Sequence, residues 1–310
     1  MKKLTDAQFA RARDFLHSQA RPFEKTIFEL EFEEGSLDAV LSELVKFQNS
    51  NGGFGQALEP DMRTPTSSAL CTEMGLRYLA KRGIPVDHPM TGAAVKYLLD
   101  SFNADTQVWR VVSQDTNNYA HAPWWHDEAG SLARTFDNFL VIPRAGILAA
   151  LNYYAELVPA EWLAAVTEQT VRDIESLEME QFGGGGDTLV YALRLAETPG
   201  LATHLKSRLM SLLREVADIV VTRDPQAWSS YAIPPLKLAP TPSSSVADLL
   251  AEDLQIHLDY LIEQQTADGT WEPTWSWGEN YPEDWDNARQ EWRGILTLDN
   301  LISLRAYNRI

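Results

Sequence analysis

Three short segments of this chain hold the side chains best suited to acid–base work. The first is Glu59-Pro60-Asp61-Met62-Arg63. A proline between two acids keeps the backbone extended, so the carboxylates of Glu59 and Asp61 leave in fixed directions. A close carboxylate pair can share a proton or raise the pKa of one member. Arg63 stands two residues on, able to bind an anionic group or to neutralise Asp61. The second segment, residues 117–128, holds His121, His126, Trp124, Trp125, Asp127 and Glu128. It lacks apolar periodicity, and ordered loops of that length tend to be functional. His121 is the candidate acid or base, with Trp124 and Trp125 as cavity wall. A five-residue step between histidines does not suit a helical metal pair, so no metal ligands are assigned.

The third segment, residues 271–293, contains five of the ten tryptophans, at 271, 275, 277, 285 and 292, interleaved with six acids. Trp271 and Trp292 are expected to serve packing. Trp275, Trp277, Tyr281 and Trp285, with Glu279, are candidate lining residues, and Asp286 is a candidate acid. Aromatic faces among carboxylates suit sugars, cations or apolar prenyl chains.

Helices must position these groups. Apolar residues recur at three- and four-residue steps over 5–18, 36–48, 68–82, 91–102, 144–157, 161–178, 187–197, 201–222, 246–265 and 293–307, the period of amphipathic helices. No stretch alternates as strands do, so the chain is expected to be all-α. The proline-rich residues 234–245 read as a linker between hairpins of a single domain, 1–310. The glycines at 183–186 lack the Lys-Ser/Thr that would make a phosphate loop.

An internal repeat organises the pattern. Gln48-Asn49-Ser50-Asn51-Gly52-Gly53-Phe54 aligns with Gln265-Thr266-Ala267-Asp268-Gly269-Thr270-Trp271. Each follows an apolar helix and precedes another, and weaker copies fall at 97–109 and 177–186. The glycine supplies the positive φ that ends a helix tightly. The aromatic ring is expected to fold back on the preceding helix, and the Gln amide to pair with helix-end backbone.

These motifs resemble the Gln–Trp repeat of squalene and oxidosqualene cyclases and its variant in protein prenyltransferase β-subunits. The resemblance implies an α/α toroid, two concentric rings of helices around a central cavity, and a prenyl or terpenoid ligand. The family's chemistry does not carry over by residue. Asp284-Trp285-Asp286-Asn287 lacks the last carboxylate of Asp-x-Asp-Asp and is expected to be a solvent-facing acidic loop. Asp-Asp-x-x-Asp is absent, and Cys71, the one cysteine, sits in an apolar helical run and belongs to the core.

A formal charge of −18 disfavours nucleic acid and anionic membrane surfaces. No apolar run is long enough to span a bilayer, and the polar N-terminus lacks a signal-peptide core. A cytoplasmic location is therefore expected. The leading expectation is an enzyme with an acidic, aromatic-lined cavity that takes a small molecule. The alternatives are a carbohydrate hydrolase or lyase using paired carboxylates, and a non-catalytic binding or scaffold protein. No cofactor and no oligomeric state follow from the residues.

Overall fold

The computed structural model describes residues 1–310. Thirteen α-helices carry the chain: α1 (Asp6–Ser18), α2 (Pro22–Phe32), α3 (Leu37–Leu44), α4 (Ala69–Lys81), α5 (Pro89–Ser101), α6 (Ser131–Thr135), α7 (Arg144–Tyr153), α8 (Ala160–Glu175), α9 (Asp187–Glu197), α10 (Thr203–Val220), α11 (Pro235–Leu238), α12 (Ala251–Glu263) and α13 (Pro282–Ala306). Short 3-10 turns fill several connections, and extended pairing is limited to isolated bridges. The all-helical expectation holds.

Two boundaries differ from expectation in an instructive way. Helix α2 is absent from the periodic pattern because its apolar stripe, Phe23, Ile27 and Phe28, is interrupted by a buried acid, Glu24. Arg21 holds that carboxylate at 2.6 Å, which makes its burial tolerable. Helix α13 begins at Pro282, well before the expected residue 293. Tyr281 turns the chain with φ 47°, Pro282 occupies the first helical position, and Glu283 and Asp284 meet the positive end of the helix dipole. The acidic quartet is thus a helix N-terminus and not a loop.

The chain forms two compact units, Met1–Val45 with Ala217–Ile310, and Lys46–Val216. In the first, α13 packs against α1 and α2, α2 against α3, and α11 against α12. Its ends are joined: the Leu4 amide donates to the Arg309 carbonyl at 2.8 Å, and the buried Arg309 guanidinium meets Asp259 at 2.5 Å. The proline-rich residues 234–245 lie inside this unit. Leu236, Leu238 and Ala239 are buried, so the segment is packed rather than a free linker.

In the second unit α7 lies between α4 and α9, while α5 backs α4 and α8 backs α7. Cys71 is buried on α4, as expected. Gly146 allows this close approach: a Cβ there would stand 2.8 Å from the Tyr191 ring and 3.0 Å from Glu73 Oε1. Glu73 is fully buried and paired with Arg77 on its own helix at 2.9 Å and with Arg194 of α9 at 3.5 Å, so α4 and α9 are tied through one carboxylate.

Each unit contains one copy of the repeat turn, and the two are built alike. Gly52 has φ +87° and Gly269 φ +91°. Gln48 Nε2 donates to the carbonyls of Gly52 and Met90, at 2.8 and 3.1 Å. Gln265 Nε2 donates to those of Gly269 and Gln8, at 2.9 and 3.1 Å. The aromatic residues are buried, Phe54 completely and Trp271 with its Nε1 donating to the Leu261 carbonyl at 2.8 Å. Trp109, in the weaker copy, does the same to Leu98 at 2.7 Å. An indole that caps the end of its preceding helix is the shared device of these two copies.

Candidate acid–base site

The first repeat turn delivers the chain into the acidic segment. After Phe54, Gln56 and Ala57 both adopt left-handed φ, 55° and 57°, a conformation that costs free energy outside glycine. This twist reverses the backbone and sends Leu58, Glu59, Pro60, Asp61 and Met62 inward, all buried. Glu59 retains 6% of its exposure and Asp61 2%. Carboxylates are seldom buried so deeply without charge or hydrogen-bond partners, because desolvation penalises the ionised form.

The second segment lies directly against the first. The Arg63 amide donates to the Ala120 carbonyl at 2.9 Å, and the Ala122 amide to that of Asp61 at 2.8 Å. These bonds frame an antiparallel bridge between Met62 and His121. Residues facing one another in such a pair share a face, and their neighbours point to the other. Met62 and His121 therefore share one face of this single pair. Glu59-Pro60-Asp61 form a tight turn just before it, the Met62 amide donating to the Glu59 carbonyl at 3.2 Å, and not the extended stretch expected from Pro60. Asp115 adds a second clasp, accepting from Thr66 Oγ1 at 2.7 Å and from Ser113 Oγ at 2.6 Å. Burial opposes ionisation of Asp115, but these hydrogen bonds outweigh it and hold its pKa below the usual value.

His121 is buried to 3% exposure. Its Nδ1 lies 2.6 Å from the Tyr119 carbonyl oxygen, and its Nε2 lies 3.0 Å from His126 Nδ1. Burial lowers its pKa; the Tyr119 contact opposes that shift and His126 adds to it. His121 is thus neutral at pH 7. His126 is exposed, and its peptide is fixed by Ser131 Oγ, which donates to the His126 carbonyl at 3.0 Å. Arg110 closes this loop by holding Asp127 at 2.5 Å.

Trp125 is buried and stacks on Phe136, with centroids 5.4 Å apart and 11° between planes. Its Nε1–H is buried with no hydrogen-bond acceptor. Phe136 is followed by three consecutive left-handed residues, Asp137, Asn138 and Phe139, a strained turn under the tryptophan. Trp124 and Arg63 are half-buried. The same unit holds a cleft of about 210 Å³ lined by Ser67, Ser68, Tyr97, Ser101 and Arg110 among others. Burial pushes the Tyr97 phenol up to about 12, Cys71 adding to the shift, and the phenol donates to the Ser67 carbonyl at 2.9 Å.

The third segment belongs to the other unit. Trp277 is fully buried against Trp285, centroids 5.7 Å apart, and Trp275 meets Trp292 edge-on at 5.0 Å. Trp271 and Trp292 pack as expected, but Trp277 joins them in the core. Glu279, Tyr281 and Asp286 are exposed. The structure therefore joins Glu59, Asp61, Arg63, His121, Trp124 and Trp125 within one unit and leaves Asp286 and the aromatic stretch outside that group.

Sequence reasoning passed over two features. A five-residue step marks His126 only as unsuited to a helical metal pair, although a histidine at that distance in a loop can equally be the hydrogen-bond partner of His121. His17, Glu29 and Glu33 were not connected because α2 was not recognised. On α1 and at the end of α2 they bring ligand atoms within 4.8 Å of one another and could hold a metal ion.

No family model matches this chain, and neither a curated protein nor a solved structure does.

Proposed function

We propose that the chain is an acid–base enzyme whose site is the ribbon of residues 59–63 and 120–122 in the second unit, acting on a polar, hydroxylated small molecule. One observation carries this: two segments far apart in sequence are hydrogen-bonded so that Glu59, Asp61 and His121, all buried, fall in one small region. Buried titratable groups gathered at a loop junction are costly to folding and are the usual machinery of proton transfer. Arg63 would orient an anionic or hydroxyl group, and Trp124 and Trp125 would form the wall.

The unsatisfied Trp125 donor favours the carbohydrate reading over a prenyl chain, which needs apolar walls, and so does the hydroxyl- and guanidinium-lined cleft in the same unit. The scaffold is the helical-hairpin succession of an α/α toroid. The row α4, α7, α9 backed by α5 and α8 supports that reading, as do the matching repeat turns. The test is turnover: release of reducing ends from neutral and acidic oligosaccharides by the wild type, with loss of release in Asp61→Asn and Glu59→Gln. Cyclisation or transfer of a prenyl diphosphate, with sugars untouched, would replace this reading with the terpenoid one.

A further inference from the structure

The hydrogen-bond chain through His121 dictates which of its two histidines can meet a substrate. A carbonyl oxygen only accepts, so the contact at 2.6 Å with Tyr119 requires the proton of His121 on Nδ1. His121 is neutral, and its Nε2 must then carry the lone pair. The partner atom 3.0 Å away, His126 Nδ1, is therefore the donor. The rings confirm an in-plane bond: they are nearly coplanar, 9° apart, with centroids separated by 5.3 Å. That separation equals the N···N distance plus one ring radius on each side, so the rings meet edge to edge and not face to face. With its Nδ1 proton committed, neutral His126 holds its own lone pair on Nε2, on a side chain that is exposed.

We propose that His126 Nε2, and not His121, takes the proton from a substrate hydroxyl, and that His121 is a positioning residue that fixes the tautomer of His126. This rests on the acid–base reading of the site. In the step the substrate O–H bond breaks, its electron pair stays on oxygen, and an Nε2–H bond forms on His126. The resulting imidazolium keeps its Nδ1–H···Nε2 bond to His121, and His121 keeps its own bond to the Tyr119 carbonyl. The added charge is thus stabilised by two hydrogen bonds already in place, with no proton leaving the pair. Buried His121 plays the orienting part that a carboxylate plays in other relays. Asp127 does not compete for His126, since Arg110 holds it.

The test needs no substrate. Long-range ¹H–¹⁵N spectra of the imidazole rings at neutral pH, assigned with His121→Gln and His126→Gln, should show both residues as Nδ1–H tautomers. Diethyl pyrocarbonate, which attacks an imidazole lone pair, should modify His126 several-fold faster than the exposed His204, and His121→Gln should remove that advantage. His126 found as the Nε2–H tautomer, or modified no faster than His204, would overturn the relay. Should His121→Gln fail to fold, the wild-type spectrum and the His126→Gln assignment decide alone. Correct tautomers beside failed turnover would leave the relay standing and remove the acid–base reading. Wrong tautomers beside successful turnover would do the reverse.

Discussion

The two repeat turns share a backbone and differ in what surrounds it. At residues 48–54 the polar atoms are neutral. Asn51 Oδ1 accepts from the Gly53 amide at 3.1 Å and from Ser67 Oγ at 2.8 Å, and Asn49 Nδ2 donates to the Pro65 carbonyl at 2.9 Å. At residues 265–271 the same position is Asp268, bound by Arg293, which also meets Glu272 at 3.0 Å. One turn is closed by amides and hydroxyls and the other by ion pairs. The neutral turn leads straight into a segment with two buried carboxylates, which a further acid nearby would repel. The charged turn leads into the half-exposed Glu272, and its ion pairs with Arg293 tie it to α13. The repeat is thus a shared helix-joining device, and the buried carboxylates Glu59 and Asp61 stand beside only one copy of it.

The largest effect should come from the part the turns have in common. Gly52→Ala and Gly269→Ala each place a Cβ at a positive φ, 2.3 Å from the Ala93 carbonyl oxygen or 2.5 Å from the Ala12 nitrogen. Each should lose about 3 kcal/mol or more by denaturant unfolding. A tolerated substitution at either position would break the equivalence of the turns.

Buried histidines sharpen the contrast between units. His257 is packed against Trp228 at 4.6 Å, and burial lowers its pKa to about 4. The unfolded chain takes up that proton near pH 6.5 and the folded chain only near 4. Stability from this group is therefore complete above pH 6.5 and lost as pH falls toward 4, by about 3 kcal/mol in all. Unfolding measured from pH 7 to 4 should show that loss, and His257→Phe should flatten it. His121, whose shift has the same direction through its own burial, should likewise stay neutral somewhat below the usual histidine range.

Removing the shared amide should cost less. Gln48→Ala and Gln265→Ala each delete two hydrogen bonds to backbone carbonyls, and about 1–2 kcal/mol is expected for each. Equal losses in denaturant titrations would confirm that the two turns are interchangeable. The smallest effect should separate them. Burial opposes ionisation of Asp268, yet hydrogen bonds from Thr266, Arg293 and Thr270 hold its carboxyl at about 2. Its contribution is present above pH 3.8 and fades as pH falls toward 2. Because Asp268 is half exposed, Asp268→Asn should cost no more than about 1 kcal/mol, less at high salt. Asn51→Ala, removing a neutral acceptor, should be insensitive to salt.

Helical periodicity made most of the fold legible, since a stripe of buried Leu, Val and Ala marks α4, α8 and α9 without help from neighbours. The repeat turns were legible because glycine and the Gln amide act locally. Failures arose where distant partners decide. Glu24 is buried only because Arg21 reaches it, so α2 was missed, and α13 starts early because Tyr281 adopts a left-handed φ that no local pattern signals. In the site, Glu59, Asp61 and His121 were legible as residue types. Their joining across the Met62–His121 bridge was not, because a single extended pair leaves no periodic trace. Trp277 resembled a lining residue and proved to be core: an aromatic residue's type does not reveal which way its ring turns.

The most direct test of the central claim is a thermal-unfolding panel on the wild type, Glu59→Gln, Asp61→Asn and Asp286→Asn, with neutral and acidic oligosaccharides and with prenyl diphosphates plus magnesium. A ligand at a hundred times its dissociation constant adds about 2.7 kcal/mol. The account predicts a raised midpoint with an oligosaccharide, kept in Asp286→Asn and lost in Glu59→Gln and Asp61→Asn. A shift that survives both of the latter substitutions, or one given by prenyl diphosphates alone, would contradict it.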